Sequence, residues 1–215
     1  MSLFQLDPQS IAKRARAAGS PVPSLGASLM RGMIGFTVVS VAGFVPWAVF
    51  GKWFHMHLGK NGEVGMYVAC AVVFLALTAP LLHRLIIGPG SILRFYKVFC
   101  PAFAAYSIAW IAGWMALRGH PGSIAGLLAG TMVMACMLVA AFDALRSVVK
   151  VFVALFVLNS IGYFVGGLSE AALIKAYPLL AKLSWGVFYG IGLGAGLGLA
   201  FHFCQARARK LLAGG

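Results

Sequence analysis

The chain is short of charge, and shorter still of acid. Only 10% of its 215 residues are charged, and 4 Asp and Glu stand against 17 Lys and Arg. Soluble domains carry about 25% charged residues, so this poverty excludes a water-soluble globule and makes lipid the solvent for most of the chain. No acidic residue lies in the middle of an apolar run, which counts against a proton-coupled carrier. The basic residues are scattered between apolar runs without forming a stripe, which argues against nucleic acid as a partner. Catalytic signatures are missing too. There is no GxSxG, HExxH, Walker loop or carboxylate pair, and the GSIAG starting at Gly122 lacks a nucleophile's base. The four cysteines, Cys70, Cys100, Cys136 and Cys204, lie within or beside apolar segments with no CxxC spacing. They read as free thiols, with neither a disulfide framework nor a zinc site. No cleavable signal peptide is visible ahead of the first apolar run, which begins near Met33.

What the chain has in quantity is apolar residues, 61% of the total. A spanning helix needs roughly 17–25 of them in a run. Six runs qualify or nearly so: Met33–Phe50, Val64–Leu82, Val98–Leu117, Ile124–Phe142, Val151–Gly167 and Leu183–Phe203. With six spans both termini share a side, and that side collects twelve basic residues against five on the other. The excess places both termini in the cytoplasm of a bacterial-type inner membrane. All five tryptophans, Trp47, Trp53, Trp110, Trp114 and Trp185, then fall toward the outer face, where an indole can be half buried and half wet.

The fold class is therefore all-α: a polytopic membrane protein built as a six-helix bundle. A basic tail with a short interfacial helix fills 1–31, the membrane domain 32–204, and a second basic tail 205–215. Asp7-Pro8 marks the start of the interfacial helix, with Asp7 as cap and Pro8 in the first turn, and Gly19 to Pro23 a break after it. Ser169 is positioned to cap a short helix ending before Pro178. The connection His83–Lys97 turns at Gly88-Pro89-Gly90 and dips toward lipid. The stretch from Asp143 to Lys150 reads as a tight turn between two spans.

Glycine supplies the packing signal. Gly186, Gly190, Gly194 and Gly198 recur every fourth residue in the last run, with Gly192 and Gly196 in a row beside them. Gly122, Gly126 and Gly130 repeat the spacing in the fourth run. In water each interior Gly costs a helix ~1 kcal/mol relative to Ala. In lipid the spacing makes a groove into which another backbone can press, the pattern of a glycine zipper. Runs four and six enter from the same side, so the two ladders are expected to cross closely in the outer half. The alternatives are other neighbours within the bundle, or a seam between copies in a homo-oligomer.

Ionisable and polar groups inside a membrane are functional candidates by default. Asn159-Ser160 is the most polar spot of the fifth run. His83, Arg84, Asp143, Arg146 and His202 lie toward the inner face, where they are expected to form a cluster for an anion or headgroup, with Asp143 and Arg146 paired at i,i+3. These seven are the candidate solute-binding residues. Pro46, Pro80 and Pro101 can each kink a span and free a carbonyl. His83 and His202 lie inner while His55, His57 and His120 lie outer, a distribution similar to that of multi-span b-type cytochromes. Three readings follow. The first is a small transporter or channel that binds or passes a solute or lipid within the bundle, with no cofactor. The second is a non-catalytic membrane subunit holding partners through its glycine faces. The third is a haem-carrying redox protein.

Overall fold

The break at Gly19 to Pro23 separates a short helix from a much longer one, as the composition predicts. The computed structural model describes residues 5–214. Helix α1 spans Pro8–Ala17, with Pro8 in its first turn and the Asp7 carboxylate accepting from the Ser10 N–H at 2.9 Å. Then come α2 (Leu25–Leu58), α3 (Gly62–Leu82), α4 (Ser91–Leu117), α5 (Gly119–Ala141), α6 (Val148–Leu173), α7 (Pro178–Cys204) and α8 (Ala206–Ala213). Among the described residues, 5 segments are long and apolar enough to cross a membrane. The first, Leu25–Leu85, runs for 61 residues and reverses at Gly59–Asn61, so it holds both α2 and α3. The protein is a multi-pass, all-α membrane bundle.

Helices α2 to α7 form an up-and-down ring. In order around it they run α2, α7, α6, α5, α4 and α3, each antiparallel to its neighbours. The first and last long helices close the ring by packing extensively on each other. The expected crossing of the two glycine ladders does not occur, because α5 and α7 barely meet. Each ladder is used on a nearer antiparallel partner. A Cβ on Gly126 would stand 2.6 Å from the Trp110 carbonyl of α4, and one on Gly122 would stand 2.8 Å from the Trp114 carbonyl. On α7, a Cβ on Gly190 would stand 2.6 Å from the Thr37 Cα of α2, while one on Gly192 would stand 2.7 Å from the Gly162 Cα of α6. Gly194 faces Gly32 and Gly198 faces Ser28, backbone against backbone. So α7 is the hub: one glycine row admits α2 and the other admits α6. Gly186, at the far end of the row, is looser, with its nearest neighbour a Phe44 ring atom at 3.4 Å.

The end that carries the termini is filled and capped. Phe36, Phe95, Phe99, Phe142 and Phe201 are fully buried there, with Phe95 stacked on Phe201 at 5.4 Å between centroids. The terminal segments are not free tails. Helix α1 packs on α8, the Arg16 guanidinium donates to the Leu211 carbonyl, and Leu6, Ile11 and Ala15 join the core. The connection before α4 turns inward as well. Leu85, Ile86 and Ile87 are buried against protein, where a segment dipping into lipid was expected. Gln205 holds them: its Nε2 donates to the Leu85 carbonyl at 2.8 Å, and its Oε1 accepts from the Ile87 N–H at 2.8 Å. Ser169 caps nothing. It lies inside α6, which continues to Leu173, and its hydroxyl donates to that of Ser184 at 2.8 Å.

Candidate functional site

The far half of the bundle holds an open cavity. Phe44 of α2, Phe74 of α3, Phe103, Tyr106, Ser107, Trp110 and Ile111 of α4, Tyr163 of α6, and Trp185 and Tyr189 of α7 line its volume of about 320 Å³. No charged residue lines it. Helix α4 supplies its spine, because Phe95, Phe99, Phe103, Tyr106, Trp110 and Trp114 recur at three- and four-residue steps and so share one face. Successive rings stack along it: Phe95 on Phe99 at 5.2 Å, Phe99 on Phe103 at 5.3 Å, and Phe103 on Tyr106 at 5.8 Å. The buried Phe36 lies behind these walls, and its ring meets those of Phe74, Phe99, Phe103 and Tyr189.

Asn159 is fully buried behind this cavity. Its Nδ2 donates to the Tyr106 hydroxyl at 3.0 Å. The other end of the Asn159 amide has no partner, and neither has Trp110 Nε1, whose ring edge lies toward Gly126 of α5. Each unmatched buried polar atom costs about 1–3 kcal/mol. Ser160 is half buried, and its hydroxyl is also unmatched, but it does not line the cavity. The remaining midspan hydroxyls mostly bond back to their own helix. Thr37 donates to the Met33 carbonyl, Thr131 to Leu127 and Ser107 to Phe103.

The basic candidates at the terminal end lie in separate places. His83 and Arg84 line a cleft of about 630 Å³ with Arg31. Asp143 and Arg146 line a different one of about 480 Å³ with Arg207 and Lys210. His202 sits on the α2–α7 seam, with its Nδ1 3.4 Å from the Ser28 hydroxyl. The expected Asp143–Arg146 pair gives way to another. Asp143 stands outside α5 at φ 51° in the reversal toward α6, and it pairs with Arg207 at 3.3 Å. A helical i,i+3 geometry needs both residues on one helix, and the turn removes it. Burial pulls the Arg209 guanidinium on α8 below its ordinary range, although an arginine stays charged. The Nδ1 of His83 is 2.7 Å from the Ser91 hydroxyl, and those of His55 and His57 contact the Gly51 and Trp53 carbonyls. Among the described residues no group of three or more His, Cys, Asp or Glu is disposed to hold a metal ion.

The tyrosines and Trp110 escape a search confined to ionisable and amide groups. The aromatic stripe of α4 is the signal that finds them. In comparisons with known proteins, no family model, curated protein or solved structure matches the chain.

Proposed function

We propose that the protein crosses a cytoplasmic-type membrane six times and binds or passes a small solute or lipid in the aromatic cavity. The cavity is the observation that carries this reading. Its volume of about 320 Å³ suits a small molecule, since such sites span roughly 300–1,000 Å³ and pair apolar walls with a few polar groups. Ser107, Tyr106, Tyr163 and Tyr189 are the polar residues of its lining. Phe36 and the stacked phenylalanines beyond it fill the terminal half, which favours a blind binding chamber over an open pore.

Orientation follows from charge. The end carrying both termini also carries the twelve basic residues, which suits the cytoplasmic leaflet and its anionic headgroups. The tryptophans gather at the opposite end, Trp47 against Trp185 at 6.1 Å and Trp110 stacked on Trp114.

Solvent extracts of the purified wild type and of an Ile111→Trp variant, compared by mass spectrometry, test the reading. One small species enriched in the wild type and lost when the added indole fills the cavity supports it. Indistinguishable extracts overturn it.

A further inference from the structure

The cavity has a side door. Helices α3 and α4 are consecutive in the chain yet touch little. They meet through Tyr96 on the Ala76 carbonyl at 2.6 Å toward the terminal end and, near the middle of both helices, through Phe74 stacked on Phe103 at 6.0 Å. Beyond those contacts Tyr67, Val68 and Val72 of α3 and Ile108, Ile111 and Met115 of α4 are exposed. Every other adjacent pair in the ring is more closely packed. The two helices therefore diverge toward the far end, and Phe74 and Ile111, one on each, line the cavity behind the gap.

The walls state what can occupy it. Flat rings surround it, and it holds no carboxylate for a cation and no cation for an anion. An aromatic cage alone can attract a quaternary ammonium. Here the far rim already carries two cations seated on rings: Lys182 lies 4.8 Å from the centre of the Trp47 ring and Arg118 lies 4.8 Å from that of Trp114. Those rings touch Trp185 and Trp110 of the cavity, so a cationic ligand meets like charge at the threshold.

We propose that the cavity takes a neutral, ring-bearing lipid, and that it enters sideways from the bilayer between α3 and α4. This rests on the cavity being a ligand site. An aryl ketone with an alkyl chain has the chemistry required: a flat ring for the walls, an uncharged head, and a tail left in the gap.

The full chain in nanodiscs, photolysed with 4-decylbenzophenone, provides the test. Cross-links are expected on α4 around Ile111 and on the facing part of α3, with decanophenone protecting at least tenfold better than decanoate or decyltrimethylammonium. Ile111→Trp should abolish that protection. Bridging Val68→Cys to Ile108→Cys with a short thiol cross-linker should slow labelling severalfold. Better protection by the cation or the anion overturns the ligand class and leaves the cavity reading standing. Labelling at full rate in the bridged variant overturns the sideways route. Labelling that no competitor and no variant changes overturns the proposal and the cavity reading together.

Discussion

The Tyr96 hydroxyl of α4 donates to the Ala76 carbonyl of α3 at 2.6 Å. That carbonyl would ordinarily accept from the N–H four residues on, but Pro80 stands there and has none. A proline in α3 thus creates an acceptor inside the membrane, and a tyrosine on the next helix satisfies it. The bond joins two helices that otherwise diverge, so it acts as the hinge pin of the gap. Tyr96→Phe should lower stability by about 0.6 kcal/mol, the average for such bonds between membrane helices, and by no more than about 1.7 kcal/mol. In a Pro80→Ala background the carbonyl regains its own helical partner, and the same substitution should cost little. Thermal denaturation of the four variants in detergent, read as a double-mutant cycle, measures the coupling, and equal costs in both backgrounds would refute the hinge.

Glycine positions should sort by what faces them. Gly194→Ala sets a methyl against the Gly32 backbone, where no flexible side chain can yield, and should cost about 1–3 kcal/mol. Gly167 has open space around it, so Gly167→Ala should be neutral or stabilise by up to about 1 kcal/mol. Cys204 is almost completely buried, and labelling of its thiol on heating reports the loss of packing. A Gly194→Ala protein as stable as the wild type would show that the α2–α7 contact is not close.

Gln205 satisfies three backbone groups at once: the Leu85 and Phe201 carbonyls and the Ile87 N–H. Gln205→Leu strands the first and last of these in a buried place, at about 1–3 kcal/mol for each unmatched group. Limited proteolysis should then open the chain near Gly88 to Gly90. Resistance equal to that of the wild type would mean the connection is held by its apolar side chains alone.

The Asp143–Arg207 pair should matter far less. Both side chains are about two-thirds exposed, and surface pairs contribute ~0–1 kcal/mol. Asp143→Asn should leave the melting temperature within error, and any remaining difference should shrink with added salt. A large loss of stability would show that Asp143 has a buried role.

Asn159 should act through Tyr106. Asn159→Leu removes the bond to Tyr106 together with the unmatched end of the amide, and leaves the buried Tyr106 hydroxyl without that partner. Stability should fall by up to about 1–3 kcal/mol, the cost of one stranded polar group, offset in part by the loss of the unmatched amide oxygen. Ligand protection in the photolabelling experiment should fall, and protection that persists unchanged would remove Asn159 from the site.

Placing a cysteine at Ser10 and another at Gly214 tests topology. Both should react with an impermeant reagent only from the inner side of oriented vesicles, since α1 and α8 pack on each other at one end. Reaction from opposite sides would contradict an even number of crossings.

The sequence by itself determined the solvent and the long helices. Run length against bilayer thickness is a local property, and so are the Asp7 cap and the reversal after Ala141. It also showed which residues are small enough for backbones to meet. Only the tertiary structure decided which backbones those were. Gly126 and Gly194 carry the same spacing whether they face each other or not, and the partners follow from the order of helices around the ring. Nor could spacing show that Asn159 and Tyr106, far apart in the chain, are joined by a buried hydrogen bond. A cavity exists where packing fails, and packing is a relation between helices that no single helix encodes.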